Sequence, residues 1–356
     1  MIRRANMNYR GTVHTTLRRV AAVPLLALLA ACAARAGTAG PDAYGYVATD
    51  AATYSFVDIA STGTSVLAGA DDDRARINIG FAFQFYGQPY TTACLSSNGV
   101  IWMGGCPTGL DFSNQDLTAS SPPGNAPAIA PFWFDLTFSA KGAGAVYYQT
   151  MGTSPNRQFI VQWNNAYPVN SSKGVTFQAV LYESGGRVLL QYKDVNVGAG
   201  SPVSNGGGAT VGIRDVNGHT NNRRLQWSYK VAVLRNSEAI QFLPDGTPPV
   251  ISGMPAPGCT LWPPDGKLVQ VAIVTASDAG SGLASFNVTG TSNEPPGKDP
   301  DIVITGSGAQ YTIQLRADRL GTGPGRIYTL TAVARDVAGN TAQATAVCTV
   351  PHDIGK

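Results

Sequence analysis

Alternation of apolar and polar positions dominates this chain from residue 75 onward. Gln158-Phe159-Ile160-Val161-Gln162-Trp163 and Thr176-Phe177-Gln178-Ala179-Val180-Leu181-Tyr182 each place apolar side chains on one face at period two, the pattern of half-buried antiparallel strands over a shared core. The same reading predicts strands over 75–85, 100–103, 145–149, 188–192, 210–214 and 239–243. Ser97-Asn98-Gly99, Ser184-Gly185-Gly186 and Asn217-Gly218 separate them with residues that tolerate positive φ. No segment longer than about ten residues shows a capped helical period.

Asp245-Gly246-Thr247-Pro248-Pro249 is the sharpest break, because two prolines fix φ and remove two amide donors, which ends one sheet. Beyond it, short segments resume at 269–275, 284–288, 301–304, 311–315, 326–335 and 342–350, a density that fits an immunoglobulin-like sandwich. The pattern therefore predicts an all-β protein with two antiparallel β-sandwich-like domains, the second immunoglobulin-like, over 44–245 and 246–352, with a tail at 353–356. Gly (41) and Pro (23) are abundant and charge is sparse, which agrees with many short strands and turns.

Residues 1–31 read as a signal peptide. Arg3, Arg4, Arg10, Arg18 and Arg19 precede an apolar run over 20–31 that is too short to span a bilayer. Leu29-Ala30-Ala31-Cys32 resembles the bacterial lipobox, which makes Cys32 the expected lipidation site and 32–43 a spacer; Ala34-Arg35-Ala36 before Gly37 is the competing cleavage site. Acyl chains on Cys32 would anchor the chain to a membrane, each buried methylene contributing about 0.8 kcal/mol. The formal charge of +3 belongs to the signal: without its five arginines the balance is about −2, with no basic stripe for a nucleic acid. The expected location is the outer membrane or cell surface, or the medium if the second site is cut.

Besides Cys32 there are Cys94, Cys106, Cys259 and Cys348, two on either side of the break, which reads as one disulfide per domain in an oxidising compartment. Zinc needs more ligands, and His219 and His352 are the only histidines after the signal. Neither neighbours a nucleophile elbow, so a Ser-His-Asp triad is not expected. Asp135, Glu183, Asp194 and Asp215 are the carboxylates from which a hydrolase pair would be drawn. For calcium the candidates are the run Asp71-Asp72-Asp73 and, in the second domain, Asp278, Glu294, Asp299, Asp301 and Asp336, though none forms a twelve-residue ligand loop. Trp102, Trp133 and Trp163 read as core; Trp227 and Trp262 are the better candidates for a carbohydrate platform. No catalytic site and no obligatory cofactor is expected.

Six blocks carry a family resemblance: Ile79-Gly80-Phe81-Ala82-Phe83-Gln84-Phe85-Tyr86-Gly87, Leu95-Ser96-Ser97-Asn98-Gly99-Val100-Ile101, Ile129-Ala130-Pro131-Phe132-Trp133-Phe134-Asp135, Gly144-Ala145-Val146-Tyr147-Tyr148, Gln162-Trp163-Asn164-Asn165 and Thr176–Tyr182. They make the first domain similar to nidogen-type (NIDO) extracellular domains over most of 75–216. The resemblance implies adhesion or matrix association and brings no catalytic residue with it. The second domain resembles bacterial immunoglobulin-like and hyalin-repeat-like modules through Thr247-Pro248-Pro249-Val250-Ile251 and the turns Ala276-Ser277-Asp278-Ala279-Gly280-Ser281-Gly282 and Ala334-Arg335-Asp336-Val337-Ala338-Gly339-Asn340-Thr341. Leu261-Trp262-Pro263-Pro264, Ser292-Asn293-Glu294-Pro295 and Val350-Pro351-His352-Asp353 resemble a narrower bacterial subtype. The expected function is a non-catalytic lipoprotein acting in adhesion, binding or structure, with a protein or polysaccharide partner; a carbohydrate-binding protein and a hydrolase with paired carboxylates are the alternatives.

Overall fold

The period-two segments form strands, and nearly all of them pair antiparallel. The computed structural model describes residues 37–109, 111–119, 126–140 and 142–353; the expected signal peptide, Cys32 and residues 354–356 lie outside them. A nine-stranded sheet runs in the order Thr38–Ala39, Val47–Thr49, Glu238–Leu243, Val188–Asp194, Val175–Tyr182, Gln158–Pro168, Ala145–Met151 and Thr64–Val66, with Leu136–Thr137 also paired to Gln158–Pro168. It packs on a six-stranded sheet ordered Arg224–Tyr229, Thr210–Arg214, Ala128–Trp133, Ile101–Met103, Gln88–Ser96 and Arg74–Phe85. Phe177 fixes the spacing between the sheets, stacking on Phe132 at 5.2 Å and on Trp163 at 5.1 Å. Two polar tips cross the same gap: Trp163 Nε1 donates to the Ser96 carbonyl at 2.8 Å and the Tyr192 hydroxyl to the Pro131 carbonyl at 2.9 Å. Trp102, Trp133 and Trp163 are core, as the pattern predicts.

One expectation changes. The strands read as half-buried are buried on both faces, with Ile160, Val180 and Leu189 only 1–3% exposed on the outer side. An irregular extended segment over 51–60 covers that side, and three buried glutamines hold it. Gln162, Gln178 and Gln191 sit in register on adjacent strands. They meet alternate residues of the segment: Ser55 N donates to Gln191 Oε1 (2.6 Å), Val57 N to Gln178 Oε1 (3.4 Å) and Ile59 N to Gln162 Oε1 (2.9 Å). The amide nitrogens of Gln191 and Gln178 return the bond to the carbonyls of Ser55 and Val57, and Gln162 Nε2 donates to Asp58. Side-chain amides thus take the part of a neighbouring strand for backbone groups that burial would otherwise leave unpaired.

The six-stranded sheet is covered in the same way. The Cys94–Cys106 disulfide fastens the start of a loop whose Asp111 accepts Trp102 Nε1 on Oδ2 (2.9 Å) and Trp133 Nε1 on its carbonyl (2.6 Å). Asn114 Nδ2 reaches the Gly208 carbonyl and Thr210, and Leu117 fills the space between. The strand Gln88–Ser96 was not foreseen, because its hairpin turns on Tyr86-Gly87 with φ of 51° and 78°. Two positive φ values make the tight hairpin turn that Asn-Gly usually announces, and a tyrosine hides it.

A second pair of four-stranded sheets follows, with its own core. One holds Val250–Ser252, Leu268–Ser277, Gln310–Arg316 and Ile302–Ser307; the other holds Cys259–Thr260, Thr341–Pro351, Gly325–Asp336 and Leu283–Ser292. Cys259–Thr260 runs parallel to its neighbour, with Cys259 opposite Cys348 and bonded to it. Closing a loop of 89 residues stabilises the fold by about 4–5 kcal/mol in the loop-entropy account.

Gln178→Ala should destabilise the protein by about 2–4 kcal/mol, since it strands both backbone groups of Val57 and one bond of Gln191. Hydrogen exchange should show faster exchange at Val57 and its neighbours before the rest of the sheet responds. Unchanged protection over 51–60 would overturn the role assigned to the glutamines.

Candidate functional site

The acidic run and the Ser97-Asn98-Gly99 turn, far apart in reading, meet in space. Asn98 is fully buried, donates from Nδ2 to Asp72 (2.9 Å) and Asp111 (3.2 Å), and accepts Leu136 N on Oδ1 at 2.8 Å. Its carbonyl accepts Phe134 N. Beyond it, oxygens of Asp71, Asp72 and Asp135 lie within 4.8 Å of one another. Among the described residues the carboxylates of Asp71 and Asp135 accept no hydrogen bond. Burial, then the charges of Asp72 and Asp71, hold the Asp135 carboxyl above its ordinary pKa. Three such oxygens can take a cation or repel one another.

Glu183 belongs to a different cluster. Arg157 clasps both its oxygens, Ser154 donates to one, and this pairing holds its pKa down to about 2. Asp194 is paired with Lys173 and Asp215 with Arg223. The structure therefore does not bring Asp135 and Glu183 together as a pair of flanking acids. His219 Nδ1 lies 3.4 Å from Arg214, and His352 bonds Asp353 and the Gly321 carbonyl, so neither ring addresses a hydroxyl nucleophile.

The five calcium candidates of the second domain divide. Glu294 and Asp301 both pair with Arg326, whose side chain is 2% exposed, and Asn293 completes the strand edge by accepting Ile327 N and donating to the Gly325 carbonyl. Asp299 is exposed. Asp278 and Asp336 come together with Asp245, a residue not foreseen as a partner. Amides already occupy most of these oxygens. Asp278 Oδ1 accepts Gly280 N and Gly282 N, and Asp336 Oδ1 accepts Gly339 N and Asn340 N; Asp245 accepts Thr247 N and Ser281 N, one on each oxygen. Burial raises the Asp245 pKa, but the Thr247 and Ser281 bonds outweigh it and the net shift is downward.

These bonds join the two sandwiches. Asn340 Nδ2 donates to the Asp245 carbonyl, the Tyr44 hydroxyl to the Ala338 carbonyl, and Val337 and Ala338 pack on the first core. A Cβ at Gly280 would stand 2.4 Å from the Asp245 carboxylate, so a larger residue there would displace that side chain. Beside the joint lies a cleft of about 580 Å³ between the hairpin at 84–88, the turn at Gly185-Gly186, Arg223, the linker and the turn at 335–340. Tyr44, Tyr46 and Tyr86 form its floor, with Tyr46 and Tyr86 ring centroids 4.8 Å apart and the Tyr86 hydroxyl donating to half-buried Asp42 at 2.7 Å. Arg223 lies over the Tyr44 ring at 5.3 Å. Nothing in the strand pattern marks these tyrosines or Asp42 as neighbours of residue 338.

Fold and disulfides define an all-β sandwich protein with a disulfide in each sandwich. The chain belongs to the NIDO-related family, whose model matches residues 45–244, the first sandwich from Val47–Thr49 to Glu238–Leu243 without its edge strand Thr38–Ala39. No solved structure matches it. The family and the two disulfides suggest an exported protein that serves as a binding or structural module.

Two outcomes follow. Asp135 titrates higher folded than unfolded, so stability falls as pH rises from the ordinary carboxylate range through the folded pKa. Asp135→Asn should therefore raise the melting temperature at pH 7, in chelator, by about 1–2 °C and leave it unchanged at acid pH. A loss at pH 7 would mean that the charge is used. Asp245→Ala should cost about 1–3 kcal/mol and open the 245–249 linker to protease; an equally resistant linker would refute the joint.

Proposed function

We propose that this chain is a non-catalytic cell-envelope lipoprotein, tethered through Cys32, in which the NIDO-related sandwich and an immunoglobulin-like, hyalin-repeat-like sandwich act as one adhesion or binding unit. The observation that carries the reading is the joint: Asp245, Ser281, Ala338 and Asn340 tie the two sandwiches together with hydrogen bonds. A unit of that kind presents a fixed surface, which suits recognition. The engagement of Glu183, Asp194 and Asp215 in ion pairs supports a binding role over a hydrolytic one. The partner is an extracellular protein or polysaccharide; no cofactor and no nucleic acid enters the reading, and the lipobox-like Leu29-Ala30-Ala31-Cys32 supports bacterial origin as part of it.

Intact mass of the membrane fraction tests the anchor. The expected result is a diacylglyceryl group on Cys32 that is absent from Cys32→Ala. A soluble chain beginning at Gly37 would replace the lipoprotein with a secreted binding protein. Glycoside hydrolysis that disappears in Asp135→Asn or Glu183→Gln would overturn the non-catalytic reading itself.

A further inference from the structure

The cleft at the joint combines features that neither sandwich has alone. Its volume, about 580 Å³, falls in the range of small-molecule sites. Its walls are polar. Arg335, from the second sandwich, lies over Gly339, and among the described residues its guanidinium makes no hydrogen bond and no ion pair. Arg223, from the first, is held by Asp215 at 3.3 Å and by the face of Tyr44, so its position is set in advance. The carboxylate of Asp245 on the same wall is turned to the amides of Thr247 and Ser281.

Gln84 and Gln88 are exposed on the hairpin that forms the opposite wall, and among the described residues their side-chain amides are unpaired. Each offers donors and an acceptor, the match for hydroxyl groups, while a guanidinium fork matches a carboxylate. The tyrosines beneath are at most 6% exposed and their hydroxyls are spent on Ala338, Gly186 and Asp42, so the floor offers no stacking face and little apolar area to an incoming group. The complementary ligand is polar over its whole surface, rich in hydroxyls, and carries a carboxylate.

We infer that the cleft between the two sandwiches binds a uronate-bearing saccharide, its carboxylate on Arg335 and its hydroxyls on Gln84 and Gln88. This rests on the binding-module reading and narrows it to one site and one ligand class. An acidic peptide would also satisfy Arg335 and would pair its backbone with the two amides, as the segment over 51–60 does with the buried glutamines, so it is the competing ligand in the titration.

The test is calorimetric titration of the full-length protein in detergent with trisaccharides of galacturonic, glucuronic and mannuronic acid, their carboxyl-reduced counterparts and an Asp/Glu peptide. At least one uronate should bind, its reduced form about tenfold more weakly, and added salt should weaken it further. Arg335→Gln should lower affinity about tenfold at an unchanged melting temperature, and Gln88→Ala should weaken binding of acid and reduced forms alike. Equal binding of acid and reduced forms, tighter binding of the peptide, an unaffected Arg335→Gln or no binding at millimolar ligand would each overturn the assignment. Binding of Arg335→Gln to whole cells tells the two levels apart: if retained while the uronates fail, the binding module stands and the cleft falls; if the wild type binds no surface, the module itself falls.

Discussion

A buried amide has to be hydrogen-bonded on every side, and the first sandwich is built around that demand at Asn98. Its two donors and its acceptor bind three separate stretches, at Asp72, Asp111 and Leu136, and its backbone carbonyl takes Phe134 N. The acidic run, the covering loop and the end of the central strand Ala128–Trp133 therefore have one fixed relation. Leaving any of those groups unpaired would cost about 1–3 kcal/mol, comparable to a large part of a domain's stability. Gly99, with φ of 71° and a carbonyl 2.0 Å from where its Cβ would stand, is what lets the turn press so close to Phe132.

The same constraint explains why both sheets of this sandwich carry irregular covers. A wide sheet with a polar outer face would ordinarily meet water. Here Gln162, Gln178 and Gln191 on one sheet, and Thr210 on the other, which accepts Asn114 Nδ2 and donates to the Gln115 carbonyl, satisfy groups of segments that have no strand partner of their own. Covering adds the small outer clusters around Ile59 and around Trp102 to the main core. The disulfide Cys94–Cys106 sits where one cover departs from its sheet, so it limits the cover's freedom as well as the hairpin's.

These facts divide what the sequence discloses from what it conceals. Period-two segments such as Gln158–Pro168 and Val175–Tyr182 are legible because alternation is local, and so are the cysteine pairs on either side of the break. The burial of the glutamines was not legible. A glutamine facing water and one facing a strap occupy the same place in the alternation, and the strap's own residues have no periodicity. Glu294 and Asp301 looked like loop carboxylates for the same reason; their partner Arg326 stands on a strand some thirty positions away. The candidate cleft was hidden most deeply, since Tyr44 and Ala338 are 294 residues apart.

The two Asp/Gly turns show how far a local reading carries. Asp278 and Asp336 close their turns by accepting amides ahead of them. Yet the turns also dock on the first sandwich, because Ser281 and Asn340 project from them toward Asp245. A turn that spends its aspartate internally leaves its flanking polar residues available for an interface. The joint is thus built from groups that a hairpin does not need, and Arg335, at the end of the strand that leads into the same turn, lines the cleft beside it. The turn that attaches the sandwiches therefore also forms one wall of the cleft, while the hairpin at 84–88 forms the other.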